Sequence, residues 1–98
     1  MAETGPLLSV VITSYTAARL NDVCALLDSL KAQSYSNLET IFVAEGSRRL
    51  YDQVRSYGER TSVRNFLVLF NDGDPGASTA RNLGVQHAKG HILAFLDD

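Results

Sequence analysis

Four short apolar runs, separated by three segments of helical period, constrain the fold of this chain more than any other feature. The runs are Leu7–Ile12, Leu38–Ala44, Arg64–Phe70 and His91–Leu96. Each is of strand length and rich in β-branched or aromatic residues. After the first run, Leu20, Val23, Cys24, Leu27 and Leu30 recur at three- and four-residue spacing. That spacing predicts a helix from Arg19 to about Gln33 with one apolar face. Ser34–Asn37 breaks the pattern. Ser47 is expected to cap a second helix running to about Tyr57, with Leu50, Val54 and Tyr57 inward and Gly58 as its stop. The loop formers Asn71–Gly76 precede a third helix that starts at Ala77 or Ser78 and reaches about Lys89, where Gly90 ends it. The order is β-α-β-α-β-α-β. Repeated βαβ units predict an α/β fold, an open, doubly wound, mainly parallel sheet. Right-handed crossovers leave few arrangements, of which the strand order 3-2-1-4 is the expected one.

Size and charge fit one soluble-type domain. The chain has 98 residues, 45% of them hydrophobic and 20% charged, which supports a core for residues 7–98. Met1–Pro6 is expected to be a loose tail. A net charge of −2 supplies no basic field for nucleic acid or an anionic membrane. The lone Cys24 cannot form an internal disulfide, which is compatible with a reducing compartment, and a cytoplasmic location is expected. No apolar segment approaches the roughly 20 residues that span a bilayer.

In a sheet of this order the winding reverses between strands one and four, and ligands bind outside the C-terminal strand ends at such a point. Strand one ends in Thr13-Ser14-Tyr15, strand two in Ala44-Glu45-Gly46-Ser47, and strand four in Asp97-Asp98. Two adjacent carboxylates at a strand end repel each other, and a divalent cation bridged to an anionic ligand would relieve the repulsion.

Five blocks in order carry a resemblance. They are Val10-Val-Ile-Thr-Ser-Tyr15, Gln33-Ser-Tyr-Ser-Asn-Leu-Glu39, Glu45-Gly-Ser47, Ala80-Arg-Asn-Leu-Gly84 and Gly90-His-Ile-Leu-Ala-Phe-Leu-Asp-Asp98. Together they resemble glycosyltransferase family 2 from about Leu8 to Asp98. The resemblance implies the nucleotide-sugar-binding half of a GT-A fold, and an inverting transferase that moves a sugar from a nucleotide-diphosphate sugar, a UDP-sugar foremost, to a saccharide or lipid acceptor. It implies that Thr13 and Tyr15 lie beside the nucleotide base, that Glu45 accepts a hydrogen bond from the pyrimidine ring, and that Arg81 lies near base and ribose. It assigns Asp97 to the ribose side and Asp98 to a Mg²⁺ or Mn²⁺ ion on the diphosphate. The family's acceptor half and catalytic base are expected downstream, so this piece is expected to bind nucleotide weakly and to transfer nothing. Its apolar edge at strand four is expected to favour self-association.

The chain departs from the family pattern in two places. It has Thr13-Ser-Tyr-Thr16 where the family usually has Pro-Thr-Tyr-Asn, and Ala44-Glu45 where two aspartates usually precede Gly-Ser. Rival enzyme classes lack their loops. A sugar nucleotidyltransferase expects a glycine-rich basic loop after strand one, and a dehydrogenase expects Gly-x-Gly-x-x-Gly there; Thr13–Leu20 has no glycine and one arginine. A non-catalytic nucleotide-binding or interaction module of the same fold remains the alternative. Other polar residues read as structural. Cys24 is expected in the core, His87 and His91 lack the spacing of a helical metal pair, and Asn71–Asp74 lacks the closing glutamate of a calcium loop.

Overall fold

The computed structural model describes residues 5–32, 37–63, 65–72 and 77–97, with the backbone alone for Ala77, Ser78 and Asp97. Four strands form one sheet: β1 (Leu8–Ser14), β2 (Leu38–Glu45), β3 (Phe66–Asn71) and β4 (Ile92–Asp97). They alternate with helices α1 (Leu20–Lys31), α2 (Arg48–Arg60) and α3 (Ala77–His87). The order is β3-β2-β1-β4 and every pairing is parallel, as the alternating periods predict.

Burial on both faces explains the continuous apolar runs of the central strands. Even-numbered residues Val10, Ile12, Phe42 and Ala44 pack with Val23 and Leu27 of α1 and Leu50 and Val54 of α2. Odd-numbered residues Val11, Ile41 and Val43 pack with Ala80 of α3. The sheet thus has two helices on one face and one on the other. That layout follows from right-handed crossovers whose direction reverses after β3.

Element ends differ from the sequence reading in instructive ways. β1 and β2 each run on past their apolar cores, to Ser14 and Glu45, because their polar last residues still pair across the sheet. Before α1, Thr16 caps a single 3₁₀ turn over Ala17–Arg19 by accepting from the Ala18 N–H at 3.2 Å. Ser47 caps α2 as expected, its Oγ accepting from the Leu50 N–H at 3.1 Å.

Gly58 does not stop α2. It is buried inside the helix, where an added Cβ would meet the Phe66 ring, with Cδ2 at 2.5 Å. Its task is close approach to β3. The turn that ends α2 uses Ser62 at φ 58°, with the Val63 N–H donating to the Gly58 carbonyl at 3.1 Å. α3 ends at His87, ahead of the expected Lys89. Cys24 is half-buried, not core, and burial first and Asp28 second push its thiol pKa up. The expected helix end at Gln33, the strand start at Arg64, the 73–76 part of the third turn and Asp98 lie outside the described residues.

Candidate functional site

The C-terminal edge of the sheet gathers the polar strand ends. Thr13 on β1 is in register with Val43 on β2 and with Asp97 on β4. Ser14 stands beside Ala44, and Glu45 beside Asn71. Neighbouring strands lie about 4.8 Å apart and each residue rises about 3.3 Å, so the backbones of Glu45 and Asp97, two strands apart and offset by two residues, flank the end of β1 roughly 12 Å from each other. Residues scattered from 13 to 97 meet on one rim because three crossovers return the chain there.

Side-chain alternation sorts these residues by face. Val11, Ile41, Val43 and Leu69 face α3. Thr13, Glu45 and Asn71 continue those rows by two residues, so they belong to the α3 face. Arg81 lies on α3 itself, directly after the buried Ala80. Thr13, Glu45 and Arg81 therefore share one side of the sheet, with Thr13 and Asn71 buried and Glu45 and Arg81 half-buried. Tyr15 follows β1 immediately and is 74% exposed, which leaves its ring face open. Asp97 is placed by its backbone register only, and Asp98 lies outside the described residues.

The turn after β2 is shaped by Gly46 at φ 71°, a conformation that favours glycine. Its N–H donates to the Asn71 carbonyl at 2.9 Å, tying the end of β2 to the end of β3. The turn delivers the chain into Ser47 and the N-terminus of α2, where unpaired N–H groups and the helix dipole favour negative charge. Next to it, the Arg48 guanidinium lies over the rings of Tyr51 at 5.0 Å and Phe70 at 5.1 Å, and the two rings meet edge to face at 5.9 Å.

Asn71, Arg48, Tyr51 and Phe70 are additions to the sequence reading. Asn71 opens a dense turn cluster in the sequence, so its place as the last strand residue was hidden. Arg48 has no local signal, since its ring partners lie three and twenty-two residues away. Among the described residues, no three His, Cys, Asp or Glu side chains converge to hold a metal ion. No described helix is long and apolar enough to cross a membrane.

Residues 9–98 match the sequence profile of Glycosyl transferase family 2. The chain belongs to glycosyl transferase family 2. It is 37% identical over 92 residues to an uncharacterized glycosyltransferase of Haemophilus influenzae, covering 94% of this chain and 29% of that one. It is 28% identical over 92 residues to the glucosyl-dolichyl phosphate glucuronosyltransferase of Haloferax volcanii, covering 93% of this chain and 28% of that one. Among solved structures, it resembles a mannosyltransferase of Pyrobaculum calidifontis in complex with GDP-Man and Mn²⁺, with a TM-score of 0.80 and 25% identity, over 94% of this chain and 27% of that one. The 98 residues thus span less than a third of the length of these relatives. The fold is that of the N-terminal part of a GT-A transferase.

Proposed function

We propose that this chain is the nucleotide-sugar-binding part of an inverting glycosyltransferase, and that its C-terminal sheet edge is the donor site. The observation that carries the reading is the backbone register of Thr13 against Asp97, with Glu45 on the other flank of β1. Tyr15 would stack on the base with its open ring, and Thr13 and Glu45 would offer a hydroxyl and a carboxylate to its polar edge. Arg81, on the same face, would serve the base and ribose.

Asp97 and Asp98 bring hard oxygen donors of the kind that Mg²⁺ and Mn²⁺ prefer, with phosphate oxygens completing the shell. When bound, such an ion neutralises the charge that builds on the departing diphosphate. Asp97 would hold the ribose side and Asp98 the ion. Transfer also needs a base to take the acceptor's proton. No residue on this edge is assigned that task, so the 98-residue chain binds donor without turning it over. The acceptor is a saccharide or lipid bound by the rest of the protein.

The donor is a nucleoside-diphosphate sugar. UDP is the expected nucleotide, and the GDP-Man of the mannosyltransferase relative makes GDP the second arm of the test. Titration calorimetry of the chain with UDP and GDP, with and without Mn²⁺, decides. Metal-dependent binding is expected, and Glu45→Gln weakens it about tenfold by removing a charge-assisted hydrogen bond. Absence of binding by both nucleotides, or equal binding by the Glu45→Gln variant, refutes the assignment. An inert module of the same fold would bind neither.

β4 pairs with β1 on one side and, among the described residues, with nothing on the other. With Ile92, Leu93 and Phe95 exposed, this edge would be the surface through which a second copy of the 98-residue chain associates.

A further inference from the structure

The opposite end of the sheet holds a part-buried polar clamp. Ser9 on β1 is fully buried, and its Oγ donates to Glu39 Oε2 on β2 at 2.5 Å. The same carboxylate oxygen accepts the Lys89 N–H at 2.6 Å, and Ser9 Oγ accepts the Gly90 N–H at 2.8 Å. The His91 N–H then donates to the Leu7 carbonyl at 2.9 Å. Three consecutive N–H groups of the α3–β4 connection are thus held by β1, β2 and Leu7 just before β1. Gly90 permits this closeness, since a Cβ there would meet the Leu7 oxygen at 2.7 Å and the Ser9 nitrogen at 2.8 Å, besides Ser9 Oγ.

The clamp sits where the register of β4 is decided. β4 is an edge strand with β1 as its one strand neighbour among the described residues. Ile92 enters beside Leu8, and five residues later Asp97 stands beside Thr13. A slip of one residue would move the acidic end about 3.3 Å along β1 and turn every β4 side chain to the other face. Hydrophobic patterning guards weakly against that slip, because Ile92, Leu93 and Phe95 are all exposed. Ala94 and Leu96 are the apolar side chains of β4 that meet the core, and both are only half-buried.

We propose that Ser9 and Glu39 are positioning residues for Asp97 at the far end of β4. By fixing Lys89 and Gly90 they set the register that brings Asp97 to the ligand edge. The inference rests on the donor-site reading above for its consequence, but not for the clamp itself.

The test uses the whole 98-residue chain with Glu39→Leu, Glu39→Gln and Ser9→Ala. Amide hydrogen exchange reads the clamp without ligand. Glu39→Leu and Ser9→Ala are expected to speed exchange over β4 about tenfold while the β2–β3 ladder keeps its protection. Glu39→Gln is expected to restore β4, because an amide oxygen still accepts from both Ser9 and Lys89. In titrations with nucleoside diphosphate, Glu39→Leu is expected to weaken the Mn²⁺-dependent part of binding about tenfold and to spare the metal-free part, which Tyr15 and Glu45 supply.

Protection lost equally over all strands, or β4 exchange left unchanged, overturns the proposal. Equal loss of metal-free and metal-dependent binding overturns it as well. A wild-type chain that binds no nucleotide overturns the donor-site reading, while exchange alone still decides the clamp.

Discussion

Gly84→Ala tests how closely α3 approaches the sheet. A Cβ at position 84 would stand 2.5 Å from Val11 Cγ1 and 3.4 Å from Cγ2. Val11 is fully buried and β-branched, so its side chain has one strong rotamer and little room to retreat. Two effects compete. Alanine raises intrinsic helix stability by about 1 kcal/mol over glycine. Overpacking a tight contact costs about 1–3 kcal/mol. The expected net is a loss of about 1 kcal/mol, or a Tm drop of about 4–8 °C for a domain of this size. Urea denaturation of Gly84→Ala, Val11→Ala and the double variant measures the competing parts. Val11→Ala alone opens a hole and costs about 1–3 kcal/mol. In the double variant the new methyl of residue 84 enters that hole, so the two losses do not add. The double is expected to be about 1–3 kcal/mol more stable than their sum. A Gly84→Ala chain that gains its helix propensity in full, with additive behaviour in the double, would show that α3 does not press on β1 and would refute the reasoning.

Other expectations follow from single contacts. Ser62→Gly should stabilise the chain by about 0.5–1 kcal/mol in urea denaturation, because glycine takes φ 58° without the strain an L-residue carries there. The Tyr57 hydroxyl donates to Asp28 Oδ1 at 2.5 Å, which pushes its pKa up to about 12 from 10.0. The raised value means that stability from this bond is fully present below pH 10 and is lost as pH rises through about 12. Phenolate absorbance should show a late Tyr57 step, and Asp28→Asn should bring that step back toward 10. Leu93→Lys together with Phe95→Lys should convert associating chains to monomers in sedimentation without changing the thermal midpoint by more than about 3 °C, since both side chains are more than 40% exposed. An unchanged sedimentation profile would remove β4 as the contact.

Period carried the fold. The three- and four-residue spacing from Leu20 to Leu30, and the β-branched runs at Val10–Ile12 and Ile41–Val43, are local signals of global burial. The structure returns them as α1 and the two central strands. Glycines misled where packing outranked punctuation. Gly58 looks like a helix stop, yet the helix passes through it because the Phe66 ring needs the space of a missing Cβ. Gly90 does follow a helix, but its decisive contacts are to Ser9 and Leu7, residues more than eighty positions away. No local rule reports such a distance. The same limit hid Arg48 and Asn71, whose partners are fixed by strand pairing.

The two ends of β4 show how site geometry depends on residues that never touch ligand. At the entry, hydrogen bonds from Lys89, Gly90 and His91 tie the strand to β2, to β1 and to Leu7 just before β1. At the exit, the same register sets Asp97 beside Thr13. Parallel pairing allows no hairpin to fix alignment locally, so a parallel edge strand must take its register from packing or from a clamp. Packing is thin here, because among the described side chains Ala94 and Leu96 are those of β4 that meet the core. The burden falls on Ser9 and Glu39. A buried serine and a carboxylate on adjacent strands cost desolvation unless every polar atom finds a partner. That cost is offset when the partners are N–H groups that a tight, glycine-bearing turn would otherwise leave without acceptors.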